Sequence, residues 1–138
     1  MNTTYDELYV AFLLNCPNND IPSTNEGKYA QIQNAISFYN LKSNTYKDHI
    51  LSGIKGNNTS EMLDFKLKEN ELLLFSHCMK LAHLKSELTF FISLYSTFTK
   101  ETGIKEYRGQ VSAREVDIKA TEDFITSILE DSIEDWEV

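Results

Sequence analysis

Cysteine is scarce in this 138-residue chain, and its two cysteines, Cys16 and Cys78, lie far apart. A disulfide framework is therefore not expected, and a reducing compartment is the default. The chain is long enough for one domain that buries a core without disulfide or metal support.

Long apolar runs are also missing. The apolar stretch from Leu8 to Leu14 is too short to span a membrane, and no basic region precedes it. We therefore expect neither a signal peptide nor a membrane partner.

Basic residues are absent from the last 17 positions. From Glu122 onward the chain has seven acidic residues, which carry almost all of the net charge of -8. The remainder is nearly neutral, which argues against a protein whose affinity comes from neutralising nucleic-acid phosphates. No sequence-specific binding of nucleic acid is expected. The acidic end is either a solvated tail or a strip that meets a basic groove on a partner.

Residue patterns for chemistry are missing too. His77 and Cys78 are adjacent and point apart on a helix, and His77 and His83 lack the spacing of two ligands on one helix. Gly53 and Gly56 are not followed by the residues of a phosphate-binding loop. We expect no catalytic, metal or cofactor site, and no enzyme.

A heptad pattern dominates the second half of the chain. Apolar residues recur at alternating steps of three and four on both sides of Gly103, which predicts two long helices, about 70–102 and 104–129, folded into an antiparallel hairpin. The predicted hairpin core is Leu74, Leu81, Leu84, Leu88, Phe91, Tyr95, Phe98, Tyr107, Val111, Ile118 and Ile125. In this register Arg114 lies beside Leu88, and Lys80 lies near Glu122.

The predicted fold class is all-α, with two shorter N-terminal helices packed on the hairpin. The first covers Tyr5 to Asn15, and the second starts after Pro22 and ends near Leu41. Residues 42–67 contain glycine and asparagine and are expected to be flexible. We therefore predict one helical domain over 1–129, followed by an acidic tail over 130–138.

The long helices carry more apolar residues than one hairpin core needs. Surplus apolar surface of several hundred Å² usually marks an interface. The predicted interface residues are Phe65, Leu67, Phe90, Leu94, Ile133 and Trp136.

Several segments resemble head-to-tail connector, or neck, proteins of tailed bacteriophages. The resemblance lies in Leu13 to Pro17, Tyr29 to Ile32, Glu71 to Leu74 and Phe98 to Lys105, and it covers most of the chain. It implies a virion structural protein that forms a ring, commonly of twelve subunits, between the portal and tail-side proteins. The expected location is the virion neck, after synthesis in the host cytoplasm.

A second function class stays open at this stage. A small acidic inhibitor or antitoxin-like protein would cover a basic partner, but its acidic residues would need to lie on the folded face. A regulatory coiled coil is less favoured because Gly103 splits the heptad pattern.

Overall fold

Four helices account for most of the structure, which is a computed structural model. It describes the backbone of every residue except Asn18, Gly103 and Val138. Side chains are described for the same residues, apart from those at 95–106 and 132–138. The all-α prediction is confirmed. The elements are α1 (Tyr5–Asn15), α2 (Asn25–Ser43), a 3₁₀ turn (Asn44–Tyr46), β1 (Gly56–Asn57), β2 (Met62–Leu63), α3 (Glu69–Thr102) and α4 (Ile104–Glu137).

Threonine side chains begin the first two helices. The hydroxyl of Thr4 accepts a hydrogen bond from the Glu7 amide at 3.1 Å, and that of Thr24 accepts one from the Gly27 amide at 3.0 Å. Each bond satisfies one of the amides that a helix start leaves without a partner. Helix α2 continues to Ser43, two residues beyond its expected end.

The first half of α3 is the centre of the core. It packs against α1, α2 and α4, and its residues Leu74, Phe75, Cys78, Met79 and Leu81 are fully buried. A helix that is apolar on all sides needs neighbours on all sides. The three other helices supply them.

Helices α3 and α4 run antiparallel, as the heptad pattern predicts. The ring of Phe91 stacks on Tyr107 at 5.9 Å between centroids, and His77 contacts Phe124 at 4.5 Å. Residues later in α3 therefore contact residues earlier in α4, as in an antiparallel pair.

Two side chains of the hairpin have partners other than those expected. Glu122 lies 3.8 Å from the ammonium groups of both Lys85 and Lys42. The guanidinium of Arg114 lies 4.0 Å from the ring centroid of Phe91, one turn beyond Leu88. The ion pair with Lys42 also joins α2 to the hairpin. The heptad pattern of α3 and α4 carries no information about this contact with a third helix.

Residues 42–67, for which the sequence predicts flexibility, follow a path with hydrogen bonds to distant parts of the chain. The Thr3 amide donates a hydrogen bond to the Phe65 carbonyl at 3.0 Å, and the Thr3 carbonyl accepts one from the Leu63 amide at 2.8 Å. The side chain of Asn40 holds both the amide and the carbonyl of Ile54, each at 2.9 Å. The segment is thus tied to distant parts of the chain, and it contributes the buried residues Ile50, Ile54, Leu63 and Leu67.

The C-terminal helix is longer than expected. Helix α4 ends at Glu137, so most of the acidic stretch predicted as a separate tail belongs to a helix. Within the described residues, no helix is sufficiently long and apolar to cross a membrane.

Substitution of Gly56 tests the packing of the 42–67 segment. A Cβ atom at Gly56 would lie 2.7 Å from Cδ1 of Ile36 and 2.8 Å from Oη of Tyr5, both on buried side chains. We expect Gly56→Ala to lower the free energy of unfolding by about 1–3 kcal/mol, measured by urea denaturation.

The matched control is Gly109→Ala in α4, where a Cβ would meet nothing within 4 Å. This change should raise the free energy of unfolding by about 0.5–1 kcal/mol, because alanine is the better helix former. A Gly56→Ala protein as stable as the unmodified chain would contradict the close packing described above.

Candidate interaction surface

The hairpin continues as a two-helix arm beyond the part covered by α1 and α2. Of the side chains described at 89–94 of α3, only Phe91 is buried. On the facing part of α4, Tyr107, Val111 and Arg114 are half-buried, and the other residues of 107–117 are exposed. We call residues 89–94 and 107–117 the arm.

Contacts inside the arm join its two helices. The Phe91 ring is stacked on Tyr107 and also lies under the Arg114 guanidinium. Arg114 in turn donates a hydrogen bond to the carbonyl of Gln110 at 3.3 Å. Two stacked aromatic rings and one cation–π partner therefore occupy the helix–helix contact, while the outer faces of the arm meet solvent.

Two large apolar residues on the arm are exposed at sites where the sequence predicted an interface. The side chains of Phe90 and Leu94 are 68% and 44% exposed and lie one helical turn apart. Beside them a groove of about 540 Å³ runs between α2 and α3, lined by Phe38, Ala82 and Ser86 among others. We call Phe90, Leu94 and this groove the arm surface.

The remaining predicted interface residues do not form one surface with Phe90. Phe65 is half-exposed at 50%, but it lies in the segment that pairs with the N-terminus. Leu67 is only 3% exposed, and its amide donates to the Thr3 hydroxyl at 2.8 Å, so it belongs to the core and its assignment to an interface is corrected. Ile133 and Trp136 lie outside the described side chains.

The residues of the predicted hairpin core differ in how far they are buried. Burial is nearly complete at Leu74, Leu81 and Ile125 and partial at Leu84 and Leu88. It is high at Phe91 and Ile118 and again partial at Tyr107 and Val111, while Tyr95 and Phe98 lie outside the described side chains.

Other exposed apolar residues were missed by reasoning from the sequence. Val10 and Leu14 on α1 are 58% and 77% exposed, and Val116 and Phe124 on α4 are 66% and 48% exposed. Helix α1 has apolar residues on all of its sides. Its sequence pattern therefore does not show which side is exposed and which is buried.

The structure brings Cys16 and His77 together, although they are 61 residues apart. The Cys16 sulfur lies 3.6 Å from Nδ1 of His77 and 3.7 Å from the Ser76 carbonyl oxygen. His77 also lines a cavity of about 520 Å³ with Lys80, Asp117 and Phe124. Sequence reasoning compared ligands only within one helix, so it did not consider this pair.

The electrostatics of this pair favour two neutral groups. Burial raises the pKa of the Cys16 thiol above its ordinary value, although Lys80 acts in the opposite direction. Burial, with a smaller contribution from Lys80, lowers the pKa of His77 to about 4. An activated cysteine needs a lowered pKa, so the arrangement fits a packed thiol better than a nucleophile.

A metal centre would need more ligands than this pair supplies. In the part of the chain that the structure describes, no group of three or more histidine, cysteine or acidic side chains could hold a metal ion. Among the described features, the arm surface therefore remains the strongest candidate for function.

Comparison with known protein families gives a match over residues 1–134 to the model of the YomZ prophage protein. The chain belongs to this family. It is 28% identical over 136 residues to an SPbeta prophage-derived uncharacterized protein, YomZ, of Bacillus subtilis (strain 168), with 97% of the chain and 98% of that protein covered. No solved structure matches significantly.

The family match corrects the resemblance stated from the sequence. The chain is a prophage protein, which agrees with the expected phage origin, but the matching family is YomZ and not the head-to-tail connectors. Short apolar strings such as Glu71 to Leu74 recur in many helical proteins, so they could not distinguish these families.

The pH dependence of stability tests the environment of His77. In the unfolded chain its pKa is near 6.5, whereas burial lowers the folded value to about 4. The unfolded state therefore binds a proton first as the pH falls, so the contribution is fully present above about pH 6.5 and is lost toward pH 4. We expect the free energy of unfolding to fall over this range by up to about 3 kcal/mol from this residue.

His77→Gln should reduce this slope, as measured by denaturation at a series of pH values. The matched control is His83→Gln, because His83 lies at the surface, 3.0 Å from Glu87. Curves for the unmodified chain and His77→Gln that run parallel from pH 6.5 to 4 would show that His77 is not held in its neutral form.

Proposed function

We propose that this prophage protein is a non-catalytic structural subunit of a phage particle and binds other proteins of the particle through its arm surface. The head-to-tail connector position in the virion neck is the specific form of this proposal. In that form, copies of the chain associate in a ring and contact portal and tail-side proteins.

The observation that carries the proposal is the exposure of Phe90 on the arm. Phe90 is 68% exposed, and Leu94 and an apolar groove lie beside it. Contact of this apolar surface with water is unfavourable in free energy, so burial against a partner would stabilise it. Aromatic anchors next to grooves are where the binding energy of protein interfaces concentrates. The position of these residues on an extended hairpin supports a role in contacts with a neighbour.

The surroundings of Glu122 support this proposal over an acidic inhibitor. Glu122, the first residue of the acidic end, lies close to Lys42 and Lys85 and is therefore partly neutralised within the fold. An inhibitor would instead present such carboxylates to its basic partner.

Complementation of a lysogen that lacks the gene tests the proposal. After induction, particles purified on a density gradient should contain the unmodified protein at a fixed ratio to the capsid protein, as measured by quantitative immunoblot. A chain with both Phe90→Ser and Leu94→Ser should be reduced in particles by at least about tenfold, because two exposed apolar anchors are lost. If the chain is a connector, separate heads and tails should accumulate.

The matched control is Val10→Ser, which removes an exposed apolar residue from α1 instead. This variant should enter particles like the unmodified chain. Particles that form normally and never contain the protein would refute the structural role and would favour the acidic-inhibitor alternative.

A further inference from the structure

The cavity beside His77 lies at the junction of three parts of the fold. Its walls come from the loop after α1, from α3 and from α4, and its volume is about 520 Å³. Helix α3 contributes Lys80 and Leu84 beside His77, and α4 contributes Asp117 and Phe124 among others. A cavity of this volume has the size of a small-molecule site. We call it the His77 cavity.

Two residues of opposite charge line the His77 cavity. Lys80 on α3 is half-buried, and Asp117 on α4 is exposed. Among the described side chains, neither group lies within 4.0 Å of an opposite charge. An ammonium group and a carboxylate therefore belong to the same cavity without pairing with each other.

The remaining titratable side chain of the cavity, His77, adds no charge at neutral pH. Burial lowers its pKa to about 4, and the nearby ammonium group of Lys80 contributes to this shift. The lining of the cavity therefore carries one positive and one negative charge and is neutral in sum.

An apolar wall lies beside these two charges. The Phe124 ring packs on the imidazole of His77 with 4.5 Å between the ring centroids, yet the Phe124 side chain remains 48% exposed. Leu84, which is half-buried, lines the same cavity. A ligand that covers the exposed side of Phe124 would remove apolar surface from water, which is favourable.

The charges of the lining restrict the class of ligand. An anion would meet Asp117 as a like charge, and a cation would meet Lys80 in the same way. A neutral apolar ligand would take water from both charged groups without replacing its hydrogen bonds. A zwitterion avoids these three penalties, because it carries one partner for each charge.

We propose that the His77 cavity binds a free α-amino acid with an apolar side chain. The ammonium and the carboxylate of an α-amino acid are joined through one carbon, so the molecule can bridge two charges that do not pair directly. Its carboxylate binds Lys80, its ammonium group binds Asp117, and its side chain packs against Phe124. Aromatic side chains fit best, because aromatic rings pack favourably on each other.

This site goes beyond the proposed function, since it shares no residue with the arm surface. Asp117 is exposed, and ion pairs that water reaches contribute little free energy. We therefore expect a dissociation constant on the order of 0.1–1 mM.

Titration of the full chain with L-phenylalanine, followed by proton–nitrogen correlation NMR spectra, tests the site. The amide signals of residues 77–84 and 117–124 should shift and reach saturation. N-acetyl-L-phenylalanine lacks the ammonium group, and L-phenylalaninamide lacks the carboxylate. Each should bind at least about tenfold more weakly, because one charge of the cavity is left without its partner.

Substitution of the two charged residues tests their roles. Lys80→Met and Asp117→Asn should each weaken the binding of L-phenylalanine by about tenfold or more, because one charge of the ligand loses its partner. The matched controls are Lys119→Met and Asp123→Asn, which change an exposed pair of charges on α4 outside the cavity. These controls should bind L-phenylalanine like the unmodified chain.

Three results would overturn the proposal. Signals that do not shift at about ten times the expected dissociation constant would show that the cavity takes no such amino acid. Equal binding of N-acetyl-L-phenylalanine would show that the ammonium group is not recognised. Binding that is unchanged by both Lys80→Met and Asp117→Asn would place the ligand elsewhere on the chain. The particle experiment with Phe90 and Leu94 is unaffected by all three.

Discussion

Burial of the first half of α3 on all sides is the constraint on which the rest of the structure depends. Phe75, Met79 and Leu81 cannot be covered by α4 alone, so α1 and α2 must pack on the remaining sides. The same dependence explains the arm. Where α1 and α2 cover less of α3, Phe90 and Leu94 meet solvent.

The heptad pattern predicted the hairpin because its signal is local and repeats along each helix. The pairing of individual side chains could not be predicted in the same detail, since Glu122 also approaches Lys85 and Lys42. A helical repeat defines which face is apolar, but the offset between two helices depends on how individual side chains such as Phe91 and Tyr107 fit together. That fit cannot be read from spacing.

Contacts between distant segments could not be predicted from the sequence. The hydrogen bonds of Thr3 with Leu63 and Phe65 tie a stretch that contains several glycines and asparagines to the N-terminus. They accompany the burial of Leu67 in the core rather than its exposure at an interface. The contact of Cys16 with His77 has the same origin. At the candidate site, the exposure of Phe90 and Leu94 agrees with their positions off the heptad pattern, whereas the exposed Val116 and Phe124 on α4 were not singled out from the sequence.

The arm surface is built from large side chains beside a groove, a shape that suits a partner with a projecting element. Phe38 of α2 and Ala82 of α3 line this groove, so a partner seated there would contact both helices at once. Phe90 and Leu94 would then gain the kind of cover that α1 and α2 give to the first half of α3. Docking at the arm would therefore extend the same packing that stabilises the body of the chain.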